Sequence, residues 1–174
     1  KFNFDGIMSI NVSPIQLMKE DFVQKLSSLS TECNVNPSNI EIEVTEGIFI
    51  NETEKAAEIL REIKKLGFGI SLDDFGTGYS SLKYLQMLPL TTLKIDKSFI
   101  QSITSEDGVS ENITNSIISM VTKMGIDTIA EGVEKVDQLL ILQQLNCKTI
   151  QGFLRGKPMD ELSVEKFLLG EIKL

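Results

Sequence analysis

The chain has 174 residues, a formal net charge of −8, and neither histidine nor tryptophan. The missing imidazole excludes Ser-His-Asp and Cys-His nucleophilic machinery and any zinc site that needs a histidine ligand. The acidic balance leaves no basic footprint for duplex nucleic acid. With 41% apolar and 24% charged residues the composition is that of a folded globular chain of about one domain.

Cys33 and Cys147 lie far apart and form no CxxC pair. They could pair once folded, but reduced thiols in a cytoplasmic chain are the expectation. No apolar run approaches the ~18 residues of a membrane span. Lys1-Phe2-Asn3-Phe4-Asp5 has neither the apolar core nor the cleavage region of a signal peptide.

In chain order, Ile7 to Val12 reads as a strand. Ser13-Pro14-Ile15-Gln16 then spells a helix start, with Ser13 as N-cap, Pro14 as first helical residue and Gln16 as capping-box partner. This helix is predicted to run to about Leu29. Asn39 to Thr45, rich in Ile and Val, is the second strand. Asn51-Glu52-Thr53-Glu54 opens a helix whose Ala56, Ile59, Leu60 and Ile63 share one face, and Gly67 ends it. Gly69 to Asp73 is a third strand, followed by the glycine-bearing loop Phe75-Gly76-Thr77-Gly78 and a short helix near Ser80 to Gln86.

Thr92 to Asp96 is a fourth strand. After a loop at Ser105 to Gly108, a long helix from Val109 to Met124 carries Ile113, Ile117, Val121 and Met124 on one face. Asp127 to Ala130, Val136 to Leu145, Lys148 to Phe153 and Leu162 to Leu169 complete the pattern as strand, helix, strand and helix. Six β-α alternations with short loops predict an α/β fold: a parallel sheet with helices packed outside it. Two architectures compete, an open doubly wound sheet and a (β/α)8 barrel. The first βα turn lacks GxGxxG, which weakens a dinucleotide-binding reading.

Strands buried in a parallel sheet should be continuously apolar. Here almost every one carries a polar residue at or near its C-terminal end: Asn11, Glu43, Asp73 with Asp74, Lys94 with Asp96, Glu131 and Gln151. Each has a simpler explanation. Asn11 suits a turn or cap before Pro14. Glu43 suits a solvated edge strand with Glu41 beside it. Asp73 and Asp74 suit a helix cap, Lys94 a surface pair with Asp96, and Glu131 a helix start at the positive dipole end. Burying one unpaired charge costs several kcal/mol, so repetition over several strands calls for one compensating ion or ligand. Barrels gather their chemistry at the strand C-termini. Carboxylates with an amide, and no thiolate or imidazole, favour hard cations such as Mg²⁺, Mn²⁺ or Ca²⁺. The adjacent Asp73 and Asp74 fit a metal pair of the kind that hydrolyses phosphoesters, and a lysine beside them can orient or deprotonate water or offset phosphate charge.

At these residues the sequence resembles the EAL-domain family, the bacterial cyclic-di-GMP phosphodiesterases. The matching segments, in the family's order, are Ser9-Ile10-Asn11-Val12-Ser13, Glu43-Val44-Thr45-Glu46, Asp73-Asp74-Phe75-Gly76-Thr77-Gly78-Tyr79-Ser80-Ser81, Leu93-Lys94-Ile95-Asp96, Ala130-Glu131-Gly132-Val133-Glu134 and Gln151-Gly152-Phe153. The resemblance implies a modified TIM barrel that hydrolyses cyclic di-GMP to linear pGpG with Mg²⁺ or Mn²⁺. It implies that Asn11, Glu43, Asp73, Asp74 and Glu131 serve the metals, two in a complete site, with Lys94 and Glu131 catalytic. It places Gln151 at the active site and makes Glu46 the anchor of the loop after Asp74, which in the family couples substrate, metal and dimerisation. Phe153 stands where many members have tyrosine.

The family's Glu-Ala-Leu motif with its following arginine, a metal ligand and a substrate contact, does not occur. It would fall upstream of Ser9. The expectation is therefore a partial EAL domain over residues 1–174, with about six of eight strand-helix units, against ~250 residues for a full barrel. Such a chain should expose strand edges and form a dimer or other homo-oligomer. Alone it should hydrolyse weakly or not at all, and the parent, with sensor or GGDEF domains, carries the activity. The rival expectation is a non-hydrolytic EAL-like sensor of cyclic di-GMP.

Overall fold

A computed structural model of the chain describes residues 6–49, 53–76 and 82–172. Six strands form one sheet: β1 (Met8–Asn11), β2 (Ile40–Thr45), β3 (Gly69–Phe75), β4 (Thr92–Ile95), β5 (Asp127–Ala130) and β6 (Thr149–Ile150). Their spatial order is the sequence order and every pairing is parallel. A doubly wound sheet must reverse its strand order at a switch point. No reversal occurs here, so each crossover advances the sheet in one direction and it curls into a half-barrel. That resolves the two predicted architectures in favour of the barrel type.

The helices are α1 (Pro14–Leu17), α2 (Phe22–Glu32), α3 (Thr53–Lys65), α4 (Leu82–Met87), α5 (Lys97–Gln101), α6 (Val109–Lys123), α7 (Val136–Gln144) and α8 (Glu161–Leu168). The capping box forms as predicted: the Gln16 N–H donates to Ser13 Oγ at 3.3 Å, and the Ser13 N–H donates to Gln16 Oε1 at 3.0 Å. The helix it starts does not run to Leu29. It stops at Leu17, and a second helix begins at Phe22. The predicted glycine loop and helix start are described only at Phe75 and Gly76 and again from Leu82. Thr77 to Ser81, with the predicted helix opening at Asn51 and Glu52, lie outside the described residues.

The sheet's two faces differ in chemistry. Ile42, Val44, Ile70, Leu72, Leu93, Ile95 and Ala130 are buried against Ala56, Leu60 and Ile63 of α3, Ile118 and Val121 of α6, and Leu142 of α7. Each Ile, Val or Leu among them stabilises by about 1.5–3 kcal/mol when taken out of water, the alanines by less, and this outer layer packs the sheet against the helices. The residues between them in sequence face the concave side. They are polar: Glu41, Glu43, Ser71, Thr92 and Lys94, all buried. The sheet carries an apolar layer outside and a charged layer inside.

Candidate active site

Parallel strands bring their C-terminal ends to one rim. Glu43 of β2, Asp73 of β3, Lys94 of β4 and Glu131 just after β5 meet there. Lys94 Nζ lies 2.6 Å from Glu131 Oε1, 3.0 Å from Asp73 Oδ1 and 3.2 Å from Glu43 Oε1. The Lys94 side chain is 4% exposed and its three partners 7–15%, so solvent screens these pairs little.

These positions correct the simpler explanations of several residues. Glu43 is buried rather than a solvated edge acid. Lys94 does not pair with Asp96 at the surface; Asp96 instead caps α5, accepting from the Ser98 N–H at 2.9 Å. Asp73 and Asp74 are strand residues, and Glu131 lies five residues ahead of α7. Glu41, the companion of Glu43, accepts from the Thr92 hydroxyl at 2.5 Å one layer deeper.

Asp74 joins the same rim. One carboxylate oxygen from each of Asp73, Asp74 and Glu131 lies within 4.8 Å of the other two. Regular strand alternation would send adjacent residues to opposite faces. The pairing of β3 with β4 shifts register between Leu72 and Phe75, and Asp74 adopts φ +55°. A bulge of this kind re-aims a side chain, and aspartate tolerates the left-handed region better than most residues. Neither the bulge nor the turn of Asp74 has a sequence signature beyond the Asp-Asp pair.

Glu46 opens the 3₁₀ turn after β2 and accepts the Gly76 N–H at 3.0 Å. It therefore ties down the chain two residues beyond Asp74. Asn11, the last residue of β1, stands in register with Glu43, and its side chain is exposed. Gln151 follows β6 with its backbone N–H bonded to the Ala130 carbonyl at 2.8 Å, and its side chain is also exposed. Among the described residues no hydrogen bond joins the Asn11 or Gln151 side chain to the acidic cluster. The strand predicted over Lys148 to Phe153 is two residues long, because Gln151, Val133 and Leu154 exchange backbone hydrogen bonds that turn the chain.

The electrostatics follow from crowding. Burial works against the Lys94 charge, but the hydrogen bonds and charges of Glu131 and Asp73 outweigh it and hold the ammonium above the usual lysine range. Burial pushes Glu131 up, with Asp73 and Asp74 adding to the push and Lys94 opposing it. Burial also pushes Asp74 up, helped by Asp73 and Asp96. Four carboxylates face one ammonium, an imbalance that a bound divalent cation would offset. The donor set is all oxygen, which suits a hard divalent cation, and Asp73, Asp74 and Glu131 each offer one carboxylate oxygen that could hold it.

The other end of the half-barrel is different. A cavity of about 670 Å³ is lined there by Ser9, Glu41, Thr92, Asp127 and Ile129 among others, and by none of the predicted site residues. No helix among the described residues is long and apolar enough to cross a membrane.

A charged concave face at the C-terminal rim of a parallel half-barrel defines an α/β, TIM-barrel-like protein. Residues 2–158 match the model of the EAL domain, and the chain belongs to that family. It is 36% identical over 155 residues to the bifunctional diguanylate cyclase/cyclic di-GMP phosphodiesterase MucR of Pseudomonas aeruginosa, covering 89% of this chain and 22% of that protein. The EAL domain of Mycobacterium smegmatis DcpA superposes with a TM-score of 0.89 at 34% identity, over 94% of this chain and 73% of that one. The manganese and cyclic-di-GMP complex of Klebsiella pneumoniae BlrP1 superposes with a TM-score of 0.81 at 29% identity, over 87% and 39%. The chain spans about a fifth of the length of MucR and of other curated relatives it matches.

Proposed function

We propose that this chain supplies most of the catalytic mouth of a metal-dependent phosphodiesterase domain that hydrolyses cyclic di-GMP to pGpG. The observation that carries it is the buried Lys94 ammonium held among Glu43, Asp73 and Glu131 with Asp74 in reach, in a chain related to named cyclic di-GMP phosphodiesterases.

Asp73, Asp74 and Glu131 would hold Mg²⁺ or Mn²⁺, with Glu43 and Asn11 at the adjoining strand ends. Divalent ions bound there supply an activated water and charge neutralisation for the leaving oxygen. Lys94 stays protonated at neutral pH, so of the roles open to it, orienting water and offsetting phosphate charge fit better than removing a proton. Glu131, whose carboxyl burial pushes up, is the proton acceptor in this reading. Glu46 holds the backbone after Asp74, and Gln151 lies on the same rim, available to substrate.

Residues 1–174 are read as a partial domain, supported by the 73% coverage of the DcpA EAL-domain chain. Sensor or GGDEF domains in the same protein fit the short coverage of relatives such as MucR. A cytoplasmic setting fits two free cysteines, one of them exposed. β1 has a single neighbouring strand and exposes Met8 and Ile10, which supports association of two copies through this edge.

The test is calorimetric titration with cyclic di-GMP in the presence and absence of Mg²⁺, followed by chromatography of the product. Metal-dependent binding with conversion to pGpG by the protein that carries this chain, and weak or no conversion by residues 1–174 alone, is expected. Binding without conversion in both would establish the non-hydrolytic sensor instead.

A further inference from the structure

The five-residue helix α5 holds no predicted site residue, yet it sits between the two loops that carry the ends of the acidic cluster. Its Phe99 ring packs on Gly76, two residues beyond Asp74: a Cβ added at Gly76 would lie 2.5 Å from Phe99 Cε2, and Gly76 has φ +102°. Its Lys97 packs on Gly132, the residue after Glu131: a Cβ there would lie 2.6 Å from Lys97 Cβ, and Gly132 has φ +67°. Both approaches need glycine, for space and for backbone conformation. One short helix therefore wedges against the β3 loop with one residue and the β5 loop with another.

The wedge is itself fixed. Asp96 caps its first turn. Ile100 is fully buried, and its carbonyl accepts from the Gln138 side-chain amide at 3.1 Å. The same Gln138, 3% exposed, accepts from the Glu134 and Lys135 N–H groups at 2.9 and 3.0 Å with its Oε1. Gln138 thus clasps α5 to the segment that follows Glu131.

We propose that α5, through Phe99 and the Gln138 clasp, is a positioning element that sets the separation of the Asp74 and Glu131 carboxylates and thereby the affinity for the divalent cation. None of its residues touches the ion. Gly76, two residues beyond the left-handed Asp74, is held between the Glu46 carboxylate, which accepts its N–H, and the Phe99 ring. The proposal rests on the metal-binding reading of the cluster and adds what controls it.

The test is Mn²⁺ titration, with free ion followed by electron paramagnetic resonance, and urea denaturation of the metal-free protein. The variants are Phe99→Ala, Gln138→Ala and, as a control of core truncation far from the rim, Leu60→Ala. Phe99→Ala is expected to weaken Mn²⁺ binding at least tenfold and Gln138→Ala at least threefold. Leu60→Ala loses comparable or greater stability with affinity within twofold of wild type. Phe99→Leu, which keeps most of the volume, should recover most of the loss and serves if Phe99→Ala does not fold. A wild-type chain that takes up no Mn²⁺ would overturn the metal reading itself. Wild-type binding that Phe99→Ala and Gln138→Ala leave intact, or that Leu60→Ala weakens equally, would overturn the role of α5 alone.

Discussion

Lys94 Nζ lies 2.6 Å from Glu131 Oε1, joining β4 to the residue that follows β5 across the inside of the half-barrel. Together with Asp73 and Glu43 it makes the ammonium the only described positive charge paired within the cluster. Replacing it by an apolar residue of similar length leaves three carboxylates facing one another out of water. Breaking a buried pair from one side costs about 3–5 kcal/mol. Lys94→Met should lose stability on that scale in metal-free buffer, read by urea denaturation, and regain more of it than wild type when Mn²⁺ is added. A variant as stable as wild type without metal would contradict the pairing.

Burial raises the Asp74 carboxyl and so makes stability depend on pH. A carboxyl raised in the folded state binds more protons there than in the unfolded chain. Stability then falls as pH rises from the ordinary carboxylate range, near 4, through the raised value. Asp74→Asn removes that penalty and keeps a residue suited to φ +55°. Without metal, the variant should be more stable than wild type at pH 7, with the advantage shrinking toward pH 4. Lys94 acts at the other end: its contribution is complete below the ordinary lysine value and is lost as pH climbs past it. An Asp74→Asn advantage that grows on acidification would show that Asp74 is not raised.

The two thiols should separate by reactivity. Cys33 is exposed and free, whereas Cys147 is buried, and burial pushes its thiol up, with the Thr128 hydroxyl and the Thr149 carbonyl as partners. The thiolate is the reacting form. Alkylation of the native chain should modify one cysteine quickly and the second only under denaturing conditions. Rapid labelling of both would mean that the β5 region opens readily.

The β1 edge should drive self-association. Ile10 is 43% exposed on a strand with a single neighbour. Light scattering of residues 1–174 at rising concentration should show dimers, and Ile10→Lys should shift the population toward monomer. A chain that stays monomeric throughout would remove the edge as an interface.

Much of this molecule is legible in its sequence, for identifiable reasons. β2 to β5 lie where short Ile, Val and Leu runs place them, with β5 at the predicted Asp127–Ala130. α3 buries Ala56, Leu60 and Ile63 as its period requires. Glu43, Asp73, Lys94 and Glu131 converge because parallel strands share one rim. Other features leave no periodic trace. α5 is one turn long, too short for a pattern, and its one local signal is Asp96 as N-cap. The break at 18–21 falls in a run that still reads as amphipathic. The arrival of Asp74 beside Asp73 depends on a register shift made by the packing of β3 on β4.

The most direct test of the central claim is the conversion of cyclic di-GMP by the protein that carries this chain, followed chromatographically with Mg²⁺ or Mn²⁺, for wild type and for Glu131→Gln. Metal-dependent formation of pGpG, reduced about a hundredfold or more in the variant, is the predicted result. Bound cyclic di-GMP that is never cleaved, or cleavage untouched by Glu131→Gln, would contradict it.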